Sequence, residues 1–139
     1  MKSAYLDTSA FLAVVLHETN APALRRILAK FDRLFSSNLL EAEARAATAH
    51  EGADRAALDR ELKWVHWILP ARPLSTEFET VLRHGRLRGA DLWHVATAIY
   101  FSERPDRLAF ITCDEAQAGT ARGVGFSVHG VSLRGARES

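Results

Sequence analysis

Apolar residues fall along this chain in short runs that switch between strand and helix spacing, and each run ends at a polar residue, glycine or proline. Residues 2–6 form a run of strand length, and Asp7-Thr8-Ser9 then opens an apolar helix to about residue 16. Asn20 and Pro22 mark the next helix start, with Leu24, Ile27, Leu28 and Phe31 on one face. Residues 34–36 read as a second strand, after which Ser37 or Asn38 caps a helix through LLEAEARAATAH. Gly52 breaks the pattern. A helix is predicted from 53 to about 68, because Leu58, Leu62, Val65 and Leu69 recur at helical spacing. Pro70 and Pro73 punctuate a crossing with room for a third short strand. Residues 77–87 read as helix, and Gly89-Ala90-Asp91 opens the strongly apolar helix LWHVATAIYF, which ends before Pro105. Residues 108–112 are the clearest strand, stopping at Cys113-Asp114. A short helix (115–122), Gly123, Gly125 and a last strand at 126–128 follow.

Short apolar strands alternating with helices predict βαβ crossovers, and so an α/β fold with a parallel sheet covered by helices on both faces. In such sheets the ligand site lies at the carboxyl ends of the strands. The 139 residues suit one domain, and 47% hydrophobic with 25% charged residues is enough to fill a core. Repeats and linkers are absent, and the division expected is a domain over 1–133 with a polar tail at 134–139. The formal net charge of +1 gives no global sign of a polyanionic partner, although arginines gather at Arg25–Arg26 and Arg83–Arg88. The lone Cys113 forms no intrachain disulfide, so a reducing, cytoplasmic setting is the expectation. AYLDTSAFLAVVLH is too polar at Asp7 for a secretory leader and lacks a cleavage site, and no apolar run nears the roughly 20 residues that span a bilayer.

The acids change the picture most. Asp7 follows the first strand, Asp114 follows the 108–112 strand, and Asp91 begins the most apolar helix. Each alone reads equally well as a helix cap, a role worth about 1 kcal/mol. Three acids at strand-to-helix junctions on one sheet edge suggest more. A fourth comes from Glu41 or Glu43, whose two-residue spacing turns them to different sides of one helix. Glu43 borders the apolar side set by Leu39, Leu40, Ala44 and Ala47, so helical spacing favours it without deciding the matter. Clustered carboxylates repel one another unless a cation lies between them, and a hard divalent ion with oxygen ligands resolves the conflict. With no nucleophile–base motif in the chain, metal-assisted phosphodiester hydrolysis by one or two ions is the chemistry that fits.

The blocks LDTSAFL, SSNLLEAEARAA, LRGADLWHVATA and ITCDEAQAGTARGVGFSV, in this order, resemble the PIN-domain nucleases, specifically the VapC-type toxins of toxin–antitoxin pairs. The resemblance implies a PIN-like fold, metal-dependent endoribonuclease activity with Mg²⁺ or Mn²⁺, an antitoxin partner and a homodimer. It implies Asp7, Glu43, Asp91 and Asp114 as the catalytic metal ligands, with Ser9 and Thr112 as supporting hydroxyls. Arg88 and His94 also match its third block, whereas Trp93 stands where the family usually has a small or aliphatic residue.

Plainer roles stand beside these. His94 reads more readily as a packed core histidine than as a site residue. Arg86 and Arg88 are candidates for RNA phosphates or members of a solvated turn. Trp64, Trp67 and His66 could stack on bases or on an antitoxin helix, or pack in a core or dimer interface. Two other functions place acids on a similar fold. An aspartyl-phosphate phosphatase wants a second aspartate where Ser9 stands, and a receiver wants an acid pair before Asp7 and a lysine after the last strand, neither of which is present. A non-catalytic PIN-like binding module is disfavoured by four intact acids.

Overall fold

The computed structural model describes residues 1–50 and 52–131. Five strands, β1 (Ser3–Leu6), β2 (Arg33–Ser37), β3 (Val65–Ile68), β4 (Leu108–Ile111) and β5 (Ser127–His129), form one sheet in the order β3-β2-β1-β4-β5. Every neighbouring pair is parallel. The chain therefore runs outward from β1 to β3, jumps back across β1 to β4, and continues outward to β5.

Right-handed crossovers translate that reversal into two layers. Helices α1 (Thr8–Val15), α2 (Ala21–Leu28), α3 (Leu39–Ala47) and α4 (Arg55–Leu62) accompany the outward run on one face. Helices α5 (Ser75–Leu82), α6 (Gly89–Phe101) and α7 (Glu115–Val124) cover the other. The strand side chains divide accordingly. Ala4, Leu6, Ala109 and Ile111 join Phe11, Val14, Leu24 and Leu58 in one core, while Tyr5 and Phe110 join Val81, Val95, Ala98 and Phe126 in the other. Burial on both faces is why β1 and β4 read as continuous apolar runs rather than alternating ones. The fold class expected from the sequence is the one found.

The second half of the predicted 53–68 helix is a strand instead. Helix α4 ends at Leu62, and β3 begins at Val65. Helical spacing of Leu58, Leu62 and Val65 is real, but Leu69, the next member of the stripe, is 66% exposed. Val-His-Trp-Ile is equally a β-rich segment, and the β2 backbone from Leu34 to Ser37 needs a partner on its outer side. Tertiary pairing decided between two periodicities that a short apolar run satisfies together. The third strand thus precedes Pro70 rather than lying in the crossing after it.

Helix α5 is shifted towards the N-terminus of the predicted 77–87 segment. It stops at Leu82, and the chain then turns so closely over α7 that a Cβ on Gly85 would sit 2.1 Å from the Thr120 hydroxyl oxygen. Among the described residues no helix is long and apolar enough to cross a membrane. The expected tail at 134–139 and the boundary at 133 lie outside the described residues.

Candidate functional site

The order of strands reverses at β1, between β2 and β4, and the crevice beyond the carboxyl ends at such a point is where open α/β sheets bind ligands. Leu6 pairs with Ile111, so the residues that follow, Asp7 on one strand and Thr112 to Asp114 on the other, leave the sheet side by side. Asp7 is 2% exposed. Its Oδ1 caps α1 by accepting the Ala10 N–H at 3.0 Å, Ser9 Oγ donates to it at 2.9 Å, and Thr112 Oγ1 donates to Oδ2.

Ser9 and Thr112 tie this carboxylate to the neighbouring strand, because Ser9 Oγ accepts the Cys113 N–H and Thr112 Oγ1 accepts the Asp114 N–H, both at 3.0 Å. Gly130 makes room for the closure. It adopts φ +110°, and a Cβ there would lie 2.4 Å from the Thr112 carbonyl oxygen. Burial still dominates over these donors and pushes the Asp7 carboxyl up to about 6.

Asp114 caps α7 by accepting the Gln117 N–H at 2.8 Å. The capping reading therefore holds for Asp7 and Asp114. It fails for Asp91, which lies in the first turn of α6 behind the N-cap Arg88 and whose carboxylate takes no hydrogen bond among the described residues. Its backbone carbonyl instead accepts Gln117 Nε2 at 3.2 Å, which joins α6 to α7. Partial burial raises the Asp91 carboxyl above its usual range, and the charges of Asp114 and Glu43 raise it further.

Glu43 and Glu41 part company as the helical wheel suggested. Glu41 forms an i,i+4 pair with Arg45 at 2.8 Å on the outside of α3. Glu43 turns inward, where Oε1 accepts from Thr8 Oγ1 at 2.7 Å and from His94 Nε2 at 2.9 Å. The His94 bond, helped by Thr8, holds the Glu43 carboxyl below its usual range. Arg86 and Arg88 are both exposed, and the Arg88 charge acts favourably on Asp91.

The four acids thus follow the carboxyl ends of strands or lie on helices: Asp7 between β1 and α1, Glu43 on α3, Asp91 in the first turn of α6, and Asp114 between β4 and α7. As the side chains lie, no group of three carboxylate, imidazole or thiolate residues among the described residues is drawn tightly enough to enclose an ion. The donor chemistry nevertheless fits a hard divalent cation: the set is oxygen only, it includes a carboxylate buried at a cost, and Asp114 and Glu43 raise the affinity of Asp91 for protons.

Sequence reasoning missed the polar links behind these acids. Thr8 bridges Glu43 and His94, and Tyr5 Oη accepts the Ser37 N–H at 3.1 Å while meeting His94 Nδ1 at 2.7 Å. Trp93, the unusual residue of its block, donates Nε1–H to Ser37 Oγ at 2.7 Å. One signal was available for His94: it follows Asp91 by three residues and so shares its face of α6. It is a core histidine, 1% exposed, and at the same time a partner of Glu43.

Residues 4–123 match the PIN domain. The chain belongs to the PIN-domain family. PIN domains are generally nucleases, often metal-dependent, and the five-stranded parallel sheet is in keeping with the match. No curated protein matches the chain in sequence.

Proposed function

We propose that this PIN domain is a metal-dependent endoribonuclease and the toxin of a toxin–antitoxin pair, with Asp7, Glu43, Asp91 and Asp114 as ligands for Mg²⁺ or Mn²⁺. What supports the nuclease reading is the placement of acids beyond the strand ends where the sheet order reverses, with Asp7 ionisable only at a cost and Asp91 burdened by the charge of Asp114 and Glu43. A bound divalent ion would supply Lewis-acid activation of water and offset charge on the scissile phosphate.

The protein side chains have the remaining tasks. Ser9 and Thr112 fix the Asp7 carboxylate through bonds to both of its oxygens. The Ser9 hydroxyl proton is committed to Asp7, which rules it out as a nucleophile in this arrangement and leaves water as the attacking group. Arg86 and Arg88, exposed just ahead of Asp91, would draw the RNA backbone towards the acids.

The toxin role, the RNA specificity, the antitoxin and the homodimer rest on the resemblance to VapC-type toxins. A surface feature supports a protein partner. A groove of about 510 Å³, lined by Phe11, Val14, Leu28 and Trp64 among others, contains none of the four acids. Trp64 is 72% exposed at its rim.

Incubation of the purified protein with total cellular RNA, with Mg²⁺ or Mn²⁺ and then with EDTA, tests the proposal. Discrete metal-dependent fragments that vanish with Asp91→Asn are expected. A folded, metal-loaded protein that leaves every RNA class intact would defeat it.

A further inference from the structure

Glu43 has three rotatable bonds and a side chain 32% exposed, so its carboxylate is free to turn unless something holds it. Two donors do, and both act on the same oxygen. Thr8 Oγ1 and His94 Nε2 meet Oε1, whereas Oε2 accepts no hydrogen bond among the described residues.

The orientation of the His94 ring is fixed by its other neighbour. Tyr5 is fully buried, stacks on Phe110 with ring centroids 5.2 Å apart, and keeps its phenolic proton because burial pushes that group far up. Its oxygen already receives the Ser37 N–H and lies 2.7 Å from Nδ1 of His94. The arrangement that satisfies both ends has the phenol hydrogen on the Nδ1 side and the ring hydrogen on Nε2, facing Glu43. The reverse arrangement would set a bare Nε2 against the Glu43 oxygen at 2.9 Å. The chain of donors runs from the end of β2 through Tyr5 and His94 to Glu43.

The same helix carries Asp91 one turn earlier, and Trp93, which directly precedes His94, donates to Ser37 at the end of β2, just ahead of α3. Helix α6 thus holds α3 at two points, the turn that launches it and the glutamate it presents.

We propose that His94 is the positioning residue of the site: through Nε2–H it occupies Oε1 of Glu43, reserves Oε2 for a divalent cation, and fixes Glu43 relative to Asp91 on its own helix. The proposal rests on the metal-nuclease reading above. Partners that orient a metal ligand commonly change affinity by about 10- to 100-fold when removed.

The test is Mn²⁺ affinity by calorimetry for the wild type, Asp7→Asn, His94→Leu and His94→Gln, each checked for fold by circular dichroism. A ring ¹⁵N spectrum of the wild type accompanies it. His94→Leu should bind Mn²⁺ at least about tenfold more weakly. His94→Gln, whose amide can donate to Oε1, should recover most of that loss, and the spectrum should show hydrogen on Nε2 and none on Nδ1.

Folded His94→Leu that binds as tightly as wild type overturns the proposal, and so does a ring protonated on Nδ1 alone. The spectrum needs no variant, so it decides even if His94→Leu does not fold. If wild type and Asp7→Asn bind Mn²⁺ equally, the metal reading itself fails and takes this proposal with it. If Asp7→Asn loses binding but His94→Leu does not, only the role of His94 falls.

Discussion

Replacing Asp7 by asparagine should make the protein more stable in EDTA while destroying its site. The carboxyl is buried, and loss of its water raises it from an ordinary 3.8 to about 6, against the opposing pull of hydrogen bonds from Thr112, the Ala10 N–H and Ser9. A displacement of about two pH units corresponds to roughly 3 kcal/mol of instability once the group is ionised in the fold. Asparagine keeps an acceptor for the Ala10 N–H, and its amide can donate to a hydroxyl, but Ser9 and Thr112 already receive the Cys113 and Asp114 N–H groups. That misfit costs about 1 kcal/mol, leaving a net gain of about 2 kcal/mol at pH 7.

The sign can be checked by titration. Because the folded value is raised, the Asp7 contribution is present in full below about pH 4 and is lost as pH rises through about 6. Other carboxylates act in the opposite direction, so the quantity to follow is the difference between wild type and Asp7→Asn. Urea unfolding monitored by tryptophan fluorescence, in EDTA from pH 4 to pH 8, gives that difference. It should be small at the acid end and grow to favour the variant by pH 7, and Mn²⁺ should then stabilise only the wild type. An Asp7→Asn protein less stable than wild type at pH 7 in EDTA, or a difference independent of pH, would refute the reasoning.

Glu43→Gln should reduce cleavage by about 100-fold or more, whereas Glu41→Gln, which only loosens an exposed pair with Arg45, should stay near wild-type rate and lose about 0.5 kcal/mol of stability. An inactive Glu41→Gln would show that the other glutamate serves the site. Arg86→Ala with Arg88→Ala should flatten the slope of log affinity for RNA against log salt by about 1.4 if each meets one phosphate; an unchanged slope makes them a solvated turn. Glu77 is held below its ordinary 4.5 chiefly by its bond to Arg72, so the pair stabilises above that pH and the contribution fades as pH falls through the depressed folded value. Arg72→Ala should therefore destabilise the protein in urea melts at pH 7 and do so progressively less as pH falls into the acid range, and equal losses at both ends would contradict the ion pair.

The layered fold was legible because β1 and β4 are buried on both faces, which leaves unbroken apolar runs, and because Asp7 and Asp114 mark where those runs stop. β3 was not legible. Its four residues satisfy helix and strand spacing alike, and what separates the two is the unpaired edge of β2, some thirty residues earlier in the chain. The links behind the acids were hidden for the same reason. Tyr5 and His94 meet across 89 positions, and Trp93 reaches Ser37 across 56, so no local pattern could announce them. The different directions taken by Glu41 and Glu43 were legible because they depend only on the turn of one helix.

Four carboxylates on one edge should drive that edge apart, and the fold answers with its helices. Asp7, Asp91 and Asp114 all lie at or within the first turn of α1, α6 and α7, where unpaired N–H groups and the helix dipole favour negative charge. Asp7 and Asp114 take those N–H groups directly as caps, and Glu43 is held by Thr8 and His94. Capping and metal binding are therefore compatible uses of these side chains. A cap engages one carboxylate oxygen, and at Asp114 the other takes no hydrogen bond among the described residues. The Asp91 carboxylate takes none at all among the described residues, and its affinity for protons is raised by its acidic neighbours. A cation arriving at this edge would therefore relieve at Asp91 a repulsion by Asp114 and Glu43 that no hydrogen bond among the described residues answers.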